Sequence, residues 1–125
     1  MYKYFTFDTS IKEGDLVTSN YHRQGLLFRV MKINQRFISQ EEIDKSKKYN
    51  GNYSDCEAGD EMNPLVEIKP VFDLNDLKNK KLRVNVKHLD GSFLNKMTKE
   101  KYAQHIEGLR KQAQQLEDAR DVIFS

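Results

Sequence analysis

Lys69, Lys78, Lys80, Lys81, Arg83 and Lys87 fall within nineteen residues, the densest run of positive charge in the chain. Clustered Lys and Arg meet phosphate groups without reading bases, and binding of that kind falls steeply with salt. Leu82, Val84 and Val86 alternate with Arg83, Asn85 and Lys87, the period of a half-buried strand. That period predicts that Arg83 and Lys87 project together from the face opposite the apolar residues. Tyr21, Arg23, Tyr49 and Tyr53 sit in two polar stretches. Rings there can stack on bases, fill pockets on a protein partner, or simply pack their own loops.

Catalytic and metal chemistry is poorly represented. His22, His88 and His105 lie far apart, and none stands at a ligand spacing from another histidine or from Cys56. No nucleophile signature surrounds Cys56. Asp55, Glu57, Asp60 and Glu61 offer oxygen ligands but do not match a calcium loop, so a solvated acidic surface is the simpler reading. Gly51 and Gly59 stand alone between polar residues, which leaves no phosphate cradle. The expectation is a binding protein and not an enzyme, with no cofactor and no metal.

At 125 residues the chain suits one domain. Hydrophobic residues make up 38% and charged residues 32%, with a mean hydropathy of -0.80, a composition polar enough for water yet able to build a core. Nothing approaches the roughly 18 consecutive apolar residues of a membrane span. The opening Met1–Asp8 lacks the apolar run of a secretory signal, and one cysteine cannot form an internal disulfide, so a cytoplasmic location is expected. The net charge of +2 is unevenly laid out. Residues 1–39 and 63–111 are basic, whereas residues 40–62 and 112–125 are acidic. Opposite potentials on two surfaces, or plain solvation of a small domain, both follow from that layout.

The elements that must position these residues are mostly strands. Residues 2–7 are β-prone on both faces, Lys12–Asp15 marks a turn, and Leu16–Ser19 reads as a short strand. Asn20–Gly25 is a loop, Leu26–Ile33 a strand, and Asn34-Gln35 a hairpin turn into Arg36–Ser39. Ser39 followed by Glu42 predicts a capped helical turn, after which 45–61 reads as a long surface excursion. Leu65–Phe72 is a strand in which Pro70 demands an edge, bend or bulge, and Asp90-Gly91 has the chemistry of a tight hairpin turn. Thr98 caps a final amphipathic helix on which Tyr102, Ile106, Leu109, Ala113, Leu116 and Ile123 form one stripe, with Arg120 where the pattern skips. Packing on its own sheet is the more frequent use of such a helix. An intermolecular seam through Tyr102, Ile106, Leu109 and Leu116 is the alternative.

Gly14-Asp15-Leu16-Val17, followed by Phe28-Arg29-Val30-Met31-Lys32-Ile33, resembles the opening of an SH3-like small barrel of the Tudor and KOW kind. In those barrels a Gly-Asp-x-Val turn starts the first strand and an x-Val-x-x-Ile strand answers it. Phe37-Ile38 and Leu65-Val66-Glu67-Ile68 would continue the meander, so the resemblance covers about residues 11–73. The acidic insert, the later strand pair and the helix depart from it. The small size and the Lys- and Asn-rich character are similar in style to accessory proteins encoded by bacteriophages. Such barrels commonly bind nucleic acid or peptides, which the resemblance implies.

Taken together, the expectation is a single α+β domain over residues 1–125. Its β-rich body, residues 1–97 with a loop insert at 40–63, forms an SH3-like antiparallel barrel or curled sheet, and residues 98–123 form the helix. The expected role is contact with nucleic acid through the basic strand. The alternatives are a phage-type protein–protein regulator or inhibitor of a host protein, and a homo-oligomer built through the helix.

Overall fold

The computed structural model describes residues 2, 4–49, 51, 53–78, 82 and 85–125. In chain order it comprises β1 (Leu16–Ser19), β2 (Leu26–Phe37), α1 (Gln40–Lys48), β3 (Glu61–Asp73), β4 (Lys87–Asp90), a 3₁₀ turn (Gly91–Phe93), β5 (Leu94–Lys96) and α2 (Lys99–Ile123). Among the described residues five strands form one antiparallel sheet in the order β4-β3-β2-β1-β5.

The turn into β1 depends on Gly14. Its φ of +89° lies in the left-handed region that side chains disfavour, and its N–H donates to Val30 O at 2.7 Å. β2 then runs unbroken through Asn34-Gln35, where the local residue types predicted a turn. Asn34 pairs with Leu65 and Arg36 with Met62, and their side chains donate to Leu65 O (3.2 Å) and Asn63 O (2.9 Å). Polar residues suit an outward strand position as well as a turn, and the long-range partner decided between them. The β2–β3 register shifts between Leu27 and Phe28, between Val30 and Lys32, and between Asn34 and Arg36. Such irregularities bend a strand pair. Pro70 lies next to the first shift and beyond the residues that pair with β4, as its missing N–H requires.

β4 and β5 lie on opposite edges of the sheet, yet only Gly91–Phe93 separate them along the chain. A flat five-stranded sheet would hold its edges roughly 19 Å apart at ~4.8 Å per strand, farther than a single 3₁₀ turn reaches. The sheet therefore curls, but among the described residues β4 and β5 do not pair, so it is an open sheet and not a closed barrel. Asp90-Gly91 is accordingly not a hairpin. Asp90 Oδ1 accepts from Ser92 N–H at 2.9 Å and caps the 3₁₀ turn, while Gly91 is buried where a Cβ would come 2.7 Å from Phe7 Cδ1 and 3.1 Å from Pro64 Cγ.

The strand expected at 82–87 begins only at Lys87. Leu82, Asn85 and Val86 lie outside any strand and Val86 is 44% exposed, while Arg83 and Val84 fall outside the described residues. Residues 4–7 form no strand either. Asn63, 4% exposed, holds them instead: its Oδ1 accepts from Thr6 N–H (2.9 Å) and Phe7 N–H (3.0 Å), and its Nδ2 donates to Tyr4 O (3.0 Å).

Two apolar clusters result. Ile11, Val17, Phe28, Val30, Val66, Ile68, Leu89 and Leu94 form the main core, with Phe7, Leu26 and Ile33 packed against it. Ile38, Ile43, Cys56 and Met62 form a second, flanked by Tyr2 and Tyr53. Beside Ile38, this small core thus takes Ile43, Cys56 and Met62 from the stretch expected as a loop insert at 40–63. Within it α1 spans a full 40–48, and Ser39 and Glu42 form the expected reciprocal cap.

Candidate interaction surface

α2 meets the body through its first turn and buries none of its residues there. Thr98 Oγ1 accepts from Lys101 N–H at 3.1 Å, as the cap residue predicts, and the helix continues for 25 residues. None of those residues is buried, and only Ala119 is half-buried. The expected docking of this helix on its own sheet does not occur. Along its stripe Tyr102 and Ile106, nearest the body, are 37% and 36% exposed, and the exposure rises to 64% at Leu116 and 84% at Phe124, at the C-cap. The spacing alternates four and three residues throughout, which places Lys99, Ile106, Ala113 and Arg120 at heptad a positions and Tyr102, Leu109, Leu116 and Ile123 at d. Gln114 Nε2 donates to Asp118 Oδ1 at 2.8 Å and Arg110 lies 4.0 Å from Glu107, both on turns of the same helix.

At the root of α2 an apolar cavity of about 420 Å³ is lined by Leu16, Leu27, Phe72, Leu74, Leu77, Met97, Thr98, Lys99 and Tyr102. Leu27 pairs with Phe72 and Leu16 with Arg29, so these leucines lie on the outer face of the sheet, opposite Phe28 and Val30. Met97 and Tyr102 occupy the N′ and N4 positions around the Thr98 cap, the pair that staples a helix start to the chain before it. The sequence reading missed this cavity. Its one legible signal is Met97-Thr98 followed by Tyr102, because Leu74 and Leu77 lie in Asp73–Leu77, whose Asp and Asn residues read as a short turn or 3₁₀ piece.

The basic residues that the structure describes are spread out. Lys87 pairs with Ile68 and so shares the core-facing side of β3 and β4, at the sheet edge, whereas Lys69 pairs with Arg29 on the outer face. Lys78 is exposed beyond the end of β3, and Lys80, Lys81 and Arg83 lie outside the described residues. The projection expected for Lys87, away from the apolar face, is thus reversed, because the parity of β4 is set by Leu89 opposite Val66.

The aromatic candidates occupy three neighbourhoods. Tyr21 lies 5.8 Å from both His22 and Phe93, Tyr49 caps α1 with Lys48 Nζ over its ring at 5.6 Å, and Tyr53 packs on Tyr2 at 5.7 Å. Tyr21 and Tyr49 are exposed, whereas Tyr53 belongs to the second core. Arg23 is tied down: its guanidinium donates to both carboxylate oxygens of Asp73, at 2.7 and 3.3 Å. That partnership, with the Asn75 N–H, holds the Asp73 carboxyl below its usual value. Partial burial, and then the charge of Lys87, lower the His22 imidazole.

Cys56 is buried in the second core, which removes it from nucleophilic chemistry at the surface. Among the described residues no three His, Cys, Asp or Glu side chains gather as metal ligands, and no helix is long and apolar enough to cross a membrane. Comparison with protein-family models, curated proteins and solved structures finds no match.

Proposed function

We propose that this protein is a non-catalytic assembly module, in which an SH3-like β body is carried on a helix through which copies of the chain associate. One observation carries the reading: α2 holds three heptads of apolar residues and buries none of them. A lone helix is marginal in water unless packing covers its apolar face. Each Leu or Ile taken fully out of water stabilises the assembly by about 1.5–3 kcal/mol. The meander β1 to β4, with β5 returning beside β1, supports the SH3-like reading of the body. So does the Gly14-Asp15 turn that opens β1. A single buried cysteine is in keeping with a reducing, cytoplasmic setting.

Contact with nucleic acid has less support, since among the described basic residues Lys69 and Lys87 stand on opposite faces of the sheet. Light scattering at low and high salt tests the assembly reading. The wild type is expected at a multiple of 14.7 kDa, and Leu109→Glu and Leu116→Glu at the monomer mass with unchanged sheet circular dichroism. A wild-type monomer at about 100 μM would overturn it.

A further inference from the structure

We propose that the partner of α2 is a second copy of this chain lying antiparallel to it. In that pairing the last turn of each helix seats Ile123 and Phe124 in the cavity at the root of the other. The inference rests on the self-association reading above and adds orientation and an occupant. Charge is the first argument. The Lys99–Lys111 half of α2 carries Lys99, Lys101, Arg110 and Lys111 against Glu100 and Glu107, whereas the half from Gln112 onward carries Arg120 against Glu117, Asp118 and Asp121. Antiparallel helices lay each basic half along an acidic half. Parallel helices lay like against like, which costs stability.

Arg120 supplies the second argument. It sits at an a position, so a parallel pair would place two guanidinium groups face to face in the seam. In the antiparallel register a layers meet d layers. Ile106 then meets the partner's Leu116, Ala113 meets the partner's Leu109, and Arg120 meets the partner's Tyr102, whose ring takes a cation on its face. Charged residues at a positions, here Arg120 and Lys99, are the device that specifies one orientation over another.

The same register carries its last layer to the cavity. Lys99 meets the partner's Ile123, and the partner's Phe124 comes level with Thr98. Met97, Thr98, Lys99 and Tyr102 all line the cavity, and Tyr102 belongs to the seam as well. The chain cannot fill this cavity with its own Phe124, because α2 carries that ring ~37 Å away along a straight 25-residue helix. The partner's ring at that level meets Leu16, Leu27, Phe72 and Leu77, so the most exposed aromatic of the helix is covered by the apolar cavity beside its start.

Cysteine pairing in a Cys56→Ala background tests this, using Lys99→Cys and Ile123→Cys chains whose dimerisation is first checked by light scattering. Mixed and oxidised, the two are expected to form a disulfide between positions 99 and 123, found as one linked peptide by mass spectrometry, while neither cross-links to itself. Self-cross-linking of each variant alone would show parallel helices and overturn the proposal, leaving self-association standing. Monomer mass throughout, with no cross-link, would remove both. Phe124→Ala, in the otherwise native chain, is expected to raise the dimer dissociation constant about tenfold, as loss of a buried aromatic anchor does. A dimer of unchanged affinity would overturn the seating of Phe124 in the cavity.

Discussion

Arg23 and Asp73 stand fifty residues apart in the chain and are joined by two hydrogen bonds, the shorter 2.7 Å, with the Asp73 side chain only 6% exposed. The pair ties the β1–β2 loop to the end of β3, beside the segment that carries Leu74 and Leu77 to the cavity. Because its native carboxyl sits below the usual value, Asp73 binds a proton less readily folded than unfolded. Its contribution is therefore fully present above about pH 4 and is lost as pH falls through the lowered native value. Urea midpoints measured from pH 7 to pH 3 should drop for the wild type, and the drop should be smaller in Asp73→Asn. Arg23→Ala should lower the midpoint at pH 7 and shrink the acid-dependent part as well.

His22 predicts a second pH effect in a different window. Its imidazole lies 4.8 Å from the Phe28 ring and 2.9 Å from Ser19 Oγ, and its native value is below the ordinary one near 6.5. The unfolded chain takes up the proton first as pH falls, so stability rises with pH across that window. Thermal midpoints should fall between about pH 7.5 and pH 5.5, and His22→Gln should flatten that slope. An unchanged slope in the variant would remove His22 as its source.

Asn63 acts as a strand edge made from one side chain. Asn63→Leu removes three hydrogen bonds to residues 4–7, worth about 0.5–1.5 kcal/mol each. A loss of about 1.5–4.5 kcal/mol in urea unfolding is expected, with faster amide exchange at Thr6 and Phe7. Asn63→Asp keeps the two acceptors but buries a carboxylate against Tyr4 O, so it should also lower the urea midpoint while its Thr6 and Phe7 amides stay protected.

Two glycines should respond oppositely to the same substitution. Gly91→Ala pushes a methyl group against the Phe7 ring and Pro64, an overpacking that typically costs about 1–3 kcal/mol. Gly108 meets nothing within 4 Å and lies inside α2 on a face away from the seam. Gly108→Ala should therefore raise helicity and stabilise by about 1 kcal/mol. Circular dichroism at 222 nm for the helicity gain and urea unfolding of the two variants check both signs.

Much of this fold is legible locally. Ser39 with Glu42, Thr98 with the stripe behind it, and Gly14-Asp15 before β1 are short-range devices, and each element begins where they place it. What a pattern of period two or 3.6 determines is which residues share a face of their own element. It does not determine which neighbour covers that face. Asn34-Gln35 continues as strand because Leu65 and Met62 arrive opposite, and residues 4–7 stay irregular because the amide of Asn63 meets their backbone first. Lys87 turns to the core side because Leu89 is buried against Val66. The apolar stripe of α2 was determined by the sequence alone, and its exposure by the tertiary structure. The main core is filled by β-strand residues with Phe7 packed against it, and no residue of α2 belongs to it.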